Sequence, residues 1–209
     1  MKVFGTAPLR AALSLVFAVV ASSTIQVRAQ EEVKYTPSVT TVALLPLIDR
    51  SGEKDAQRKD QAGFARTELE KQFKGRGFKI VDDVTVAAAM KDLKIDLQDE
   101  EDYRRDNFFK VGHALHANLI VAVETVESTN KIHNGMFTVT REGLVKTKTW
   151  FLDVDNEKPI LSAYSYIGKS IGGGSIFSTG GQGRQVAAAG NSVRDVFNDA
   201  LKAYPIAKR

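Results

Sequence analysis

Few residues of this 209-residue chain have types and spacing suited to chemistry. Residues 163–170 (AYSYIGKS) follow a loose phosphate-loop pattern, with alanine in place of the first glycine and Gly168-Lys169-Ser170 closing it. A working phosphate loop needs amides that converge on phosphate and a helix directly after them. Here Tyr164, Ser165, Tyr166 and Ile167 alternate as a strand does, and glycines follow. A small-ligand or nucleotide-binding enzyme using Lys169 and Ser170 is therefore the second reading of the chain. Gly181-Gln182-Gly183 begins like a dinucleotide fingerprint, but Val186 occupies its third glycine position. With Arg184 it has the means to hold an anion at a helix start; a flexible connector is the preferred reading.

His113 and His116 share a helical face only if the helix runs past Gly112, and His133 lies a whole strand away, so a metal site lacks its third placed donor. Asp96, Asp99, Glu100, Glu101 and Asp102 lack the glycine and downstream glutamate of a calcium loop, and suit instead the positive start of a helix. Asp82-Asp83 reads as a helix cap before it reads as a catalytic pair. Neither HExxH nor GxSxG occurs. The absence of cysteine excludes disulfides, zinc ribbons, iron–sulfur sites, a thiol nucleophile and a cysteine-borne lipid anchor. The expectation is a protein that is not an enzyme and has no metal or cofactor.

The elements that position these residues begin after an export signal. Lys2 and Arg10 bracket a positive region, residues 11–21 are apolar, and Val27-Arg28-Ala29 offers small residues where a signal peptidase reads, so residues 1–29 are expected to be a cleaved signal peptide. Removing Lys2, Arg10 and Arg28 leaves 26 basic against 25 acidic residues, too even a balance for a nucleic-acid binder. Residues 30–39 form a short leader, 40–204 a single domain and 205–209 a tail.

Within the domain, residues 40–48 (TTVALLPLI) are apolar without alternation, as in a strand covered on both faces, and Pro46 ends, bulges or edges it. Asp55 is placed to cap a helix over 56–74, whose buried stripe is Ala62, Ala65, Leu69 and Phe73, with Gly75 and Gly77 around its stop. A short strand at 78–81 and a helix over 84–93 follow. A third helix is expected from Asp99 to Gly112, with Glu100 and Glu101 set to pair with Arg104 and Arg105. Residues 119–126 (LIVAVETV) form the next strand, 127–135 a loop, and 137–154 and 160–168 two strands of a hairpin around the turn 155–159.

Residues 168–183 hold seven glycines in sixteen positions and are expected to be a mobile loop. Within it Ile176 and Phe177 are apolar; they either dock a partner or tuck under the sheet, and partner docking is the reading adopted, with Arg184 beside them. Val186, Ala189, Val193, Val196, Phe197, Ala200, Leu201 and Tyr204 line one face of a last helix, closed by Pro205. The fold class is α+β, a mixed sheet of about five strands with helices packed against it, in the order β-α-β-α-α-β-β-β-α.

That order carries a resemblance. VALLPLIDRSG, a helix ending KGRGFKIVD, a helix bearing AAAMKDL, KVGHALHANLIVAVETV and the hairpin WFLDVDNEKPILSAY follow one another over about residues 40–204. The sequence resembles the cell-envelope domain shared by the curli-secretion channel subunit CsgG, the amino-terminal domain of TolB and the penicillin-binding-protein activator LpoB. Residues 77–82 stand where that family has its second strand, 112–121 where its third is introduced, and Asp153 to Lys158 at its hairpin, with Glu157 where glycine is usual. The resemblance implies a non-catalytic role in assembly, secretion or regulation of envelope machinery, with a cell-envelope protein as partner and homo-oligomers, including a ring-forming subunit, as a further alternative. Two departures, no lipid-anchor cysteine and no long amphipathic hairpins of the channel kind, imply a soluble periplasmic adaptor rather than a pore.

Overall fold

The computed structural model describes residues 36–52, 55–135, 138–175 and 183–203. The expected signal peptide, most of the leader, Tyr204, Pro205 and the tail lie outside them. Residues 40–48 behave as their lack of alternation requires. Strand β1 (Thr41–Leu44) stops before Pro46, and β2 (Ile48–Asp49) resumes beside the same neighbour. Along the run, Val42 and Leu44 enter one apolar cluster, whereas Ala43, Leu45 and Ile48 enter another on the opposite face. A strand with period two and two buried faces gives this division.

Helix α1 (Asp55–Gly75) begins at Asp55 itself, so that residue is helical rather than the cap. It buries Ala65, Leu69 and Phe73. Its stop is a Schellman turn: Phe78 N–H donates to Phe73 O at 3.1 Å, Gly77 N–H to Lys74 O at 2.9 Å, and Gly77 takes φ +86°. The Phe73 and Phe78 rings meet edge to face at 5.4 Å, the apolar contact that accompanies such a turn. Strand β3 (Lys79–Ile80) follows, then α2 (Asp83–Asp92), whose cap Asp82 accepts from Thr85 N at 2.9 Å, as the sequence suggests.

The third helix differs from expectation. Helix α3 (Arg105–Ala114) starts six residues later, so Glu100 and Glu101 precede it and have no helical face on which to meet Arg104 and Arg105. The acids bond the backbone locally instead: Asp96 Oδ1 accepts from Gln98 N, Asp99 Oδ1 from Glu101 N, and Asp102 Oδ2 from Asp96 N, at 2.9–3.0 Å. Such side-chain bonds offer the backbone an alternative to the helix.

Three long strands follow, β4 (Leu119–Asn134), β5 (Thr138–Asp153) and β6 (Lys158–Ser175), and then α4 (Gly183–Ala203). The expected loop at 127–135 is therefore strand as far as Asn134, and the first half of the expected mobile glycine loop, 168–175, is the end of β6. The sheet is mixed and six-stranded, ordered β3-β1-β4-β5-β6 with β2 also on β4; β1, β2 and β3 run parallel to their neighbours, while β4, β5 and β6 are antiparallel. Splitting of the first strand at Pro46 accounts for six strands where about five were expected. Helices α1 and α4 cover the face carrying Val121, Val145 and Phe151; α2 and α3 cover the face carrying Ile120, Ala122 and Leu152. Among the described residues no helix is long and apolar enough to cross a membrane.

One side chain ties α1 to the end of β1. Arg66 donates through Nη1 to Leu44 O at 2.7 Å, through Nε to Glu70 at 2.9 Å, and through Nη2 to Asp83. Arg66→Met, which keeps the stem and removes the donors, is expected to lose about 1–3 kcal/mol in urea unfolding, because a carbonyl at the end of a buried strand is left without its donor. The bond from Lys74 first, and that from Arg66 second, hold the Glu70 carboxyl below its ordinary range. A carboxyl lowered on folding adds stability that is complete above its unfolded value near pH 4 and is lost as pH falls through the lowered native value. Glu70→Gln should thus cost roughly 0.5 kcal/mol at pH 7, since its first partner Lys74 is largely exposed and water screens the pair, and nothing in strong acid.

Candidate functional site

Residues 163–170 form a strand paired antiparallel to β5, with Tyr166 opposite Thr147, Gly168 opposite Val145 and Ser170 opposite Gly143. The backbone there serves a ladder, and the chain continues as strand to Ser175, so the helix that a phosphate loop requires directly after Ser170 is not formed. Lys169 does meet an acid and a histidine. Its Nζ lies 2.6 Å from Glu142 Oε1, and His133 Nε2 lies 3.5 Å from Glu142 Oε2. Both contacts are diagonal cross-strand pairs, one to each neighbour of β5. Lys169 and His133 are 52% and 62% exposed and flank the more buried Glu142, so among the described residues the group lies on a sheet face rather than in a cleft. The ammonium, by its hydrogen bond first, holds the Glu142 carboxyl below its usual range. Lys169 is engaged as a strand-to-strand tie.

Arg184 stands in the first turn of α4, and its guanidinium lies across Gly172, where a Cβ would fall 1.7 Å from Nη2. Its Nη1 donates to Ile171 O at 3.3 Å. Gly181 and Gln182, the rest of the expected anion site, lie outside the described residues, as do Ile176 and Phe177. His113 pairs with Glu157 at 3.1 Å, and His116, with φ +50°, has left the helix that would align the two imidazoles. Among the described residues no group of three or more His, Asp or Glu side chains is placed to hold a metal ion.

Two features went unread in the sequence because each joins residues far apart in the chain. The first is an ion pair of Arg50 with Glu124 at 2.8 Å, on which Arg50 also donates to Gln98 O at 3.2 Å and lies over the Tyr103 ring at 5.8 Å. Burial first, and then the Glu124 charge, push the Tyr103 hydroxyl pKa upward. Tyr103, Phe108 and Trp150 stack edge to face within 5.0–5.7 Å and mark the limit of the cover that α2 and α3 provide. An apolar groove of about 380 Å³ between β1, α1 and α2 is lined by Pro46, Leu47, Ala62 and Val86, with Arg66 and Asp83 at its polar end.

The second feature starts where that cover stops. Past Trp150 the same sheet face continues outward through Lys148, Lys146, Leu144 and Glu142 of β5, beside Ser165, Ile167, Lys169 and Ile171 of β6. Ile167 and Ile171 are 65% and 55% exposed. Lys131 of β4 lies opposite Glu142, and Glu127 opposite Lys146. Lys131, Lys146, Lys148 and Lys169 outnumber Glu127 and Glu142 there, once Glu124 is assigned to Arg50. Alternation along β6 carries the signal for this surface in the sequence, obscured by the glycines beyond it.

The fold so defined is an α+β protein whose mixed sheet is covered by helices on both faces at one end and extends at the other as three long strands with one face open among the described residues. No protein-family model matches the chain, and no curated protein matches it. Solved structures align with it at low identity. The LpoB C-terminal domain from Salmonella enterica is 11% identical over 65% of this chain and 84% of that one, with a TM-score of 0.42. Lipoprotein GNA1162 from Neisseria meningitidis is 13% identical over 78% of this chain and 99% of that one, with a TM-score of 0.46. A PelC dodecamer from Paraburkholderia phytofirmans is 15% identical over 77% of this chain and 88% of that one, with a TM-score of 0.42.

Proposed function

We propose that this chain is an exported, non-catalytic protein-interaction module of the cell envelope, not lipid-anchored, acting as an adaptor or regulator of secretion or wall-synthesis machinery. The order of sequence motifs supports the compartment. The observation that carries the interaction role is the open sheet face with Ile167 and Ile171 exposed on it. Large aliphatic side chains left exposed side by side on one strand face gain burial when another molecule covers them. The lysines around them suit a protein segment that brings apolar side chains to the isoleucines and carboxylates to Lys146 and Lys148. Ile176 and Phe177, next in the chain after β6, are proposed to extend the same contact.

A photo-crosslinking residue placed in cells at Ile167 or Ile171 is expected to give one common adduct with an envelope protein. The same probe at Val84, which is still more open on α2, should not give it. Ile171→Lys should remove the adduct without lowering the melting temperature, since the side chain is already outside the core. Equal adducts at all three positions, or an unaffected adduct in Ile171→Lys, would count against this surface.

A further inference from the structure

Among the described residues β6 is the last strand of the sheet and is 18 residues long, whereas the opposite edge, β3, is only two. A long free edge offers a row of backbone donors and acceptors to any other strand, and proteins that stay monomeric protect such edges. Pro159 protects the start of this one by removing a donor. Near its other end, the glycines at 172, 173 and 174 bring no side chains of their own to the edge.

The carbonyls of Lys169 and Ile171, two residues apart, leave the strand on the same side. Each receives a side-chain donor from α4: Asn191 Nδ2 to Lys169 O at 2.8 Å, and Arg184 Nη1 to Ile171 O at 3.3 Å. Asn191 is itself oriented by Arg194, whose Nη2 donates to its Oδ1 at 2.7 Å. These donors stand in the role that a neighbouring strand would fill. We infer that Arg184 and Asn191 guard the β6 edge, and that the strand they keep off is β6 of a second copy of this chain. Two identical antiparallel edges are self-complementary about a two-fold axis, so the pairing closes at a dimer. Exposed Ile167 and Ile171 add apolar area that the same pairing would shield.

The test uses the full chain carrying Arg184→Met, which keeps the stem over Gly172, together with Asn191→Ala. Sedimentation should show doubling of mass at a concentration at least about tenfold below that at which the unaltered chain associates, two exposed hydrogen bonds having been removed from the guarded edge of each copy. Amide exchange at residues 167–173 should slow in the associated form. Unchanged association overturns the inference, as does association, closed or open-ended, that leaves exchange at 167–173 fast. Should the double variant not fold by circular dichroism, Asn191→Ala alone decides the question in the same two measurements.

Discussion

Gly168→Ala is expected to lower the stability of the protein by roughly 3 kcal/mol, at the upper end of what an added methyl does in a tightly packed interior. A Cβ at Gly168 would lie 1.8 Å from Ala188 O, 2.7 Å from Ser192 N and 2.8 Å from Ser192 Cβ. Two of these are helix backbone atoms, and ordinary contact requires α4 to retreat by roughly 1.5 Å. The retreat would strain the buried Thr147–Ser192 hydroxyl contact of 2.6 Å and loosen Val193 and Phe197 in the core. Position ranks the outcome. Gly143→Ala meets backbone of Arg184 and Gln185 at 2.4–2.6 Å and should behave as Gly168→Ala does. Gly172→Ala meets the far end of the Arg184 side chain, which swings aside, so its cost should be about 1 kcal/mol or less. Thermal unfolding of the three variants checks the order; equal losses at Gly168 and Gly172 would mean that α4 does not press on β6 as described.

The same glycines explain what the sequence hides. Composition does not distinguish a glycine chosen for flexibility from one chosen because another part of the chain passes within contact distance, and Gly168, under α4, and Gly172, under the Arg184 side chain, belong to the second kind. Strand β4 beyond Val126 is polar because it leaves the core, so its period carries no apolar signal and reads as loop. Where both faces of a segment are buried or one helical stripe is, legibility is high: the unbroken run at 42–45, its interruption at Pro46, the stripe Ala65-Leu69-Phe73 and the Asp82 cap all follow from local residue types. The candidate surface was legible only in part. Ile167 and Lys169 alternate visibly, but the ties of Lys169 to Glu142 and of Arg184 to Ile171 depend on strand pairing that spans many residues, which no spacing rule supplies.

Phe73→Ala is expected to have the largest effect of any single change in the core, a loss of about 3–5 kcal/mol. Phe73 is fully buried at the end of α1, and its ring meets three others: Phe78 edge to face at 5.4 Å, Phe197 edge to face at 4.8 Å, and Phe151 stacked at 5.7 Å. Those partners come from the Schellman turn, the last helix and the middle of the sheet, so one side chain joins elements that span most of the described chain. Removing it leaves a cavity that none of the three can close, because Phe151 is held in a strand between two others and Phe197 on a helix already pressed against Gly168 and Gly143. Phe73→Leu, which keeps most of the volume but loses the ring contacts, should cost about 1–1.5 kcal/mol. Chemical denaturation separates the two. A loss below about 1 kcal/mol for Phe73→Ala would show that α1 and α4 collapse into the space, which the close packing of α4 against β5 and β6 is expected to forbid.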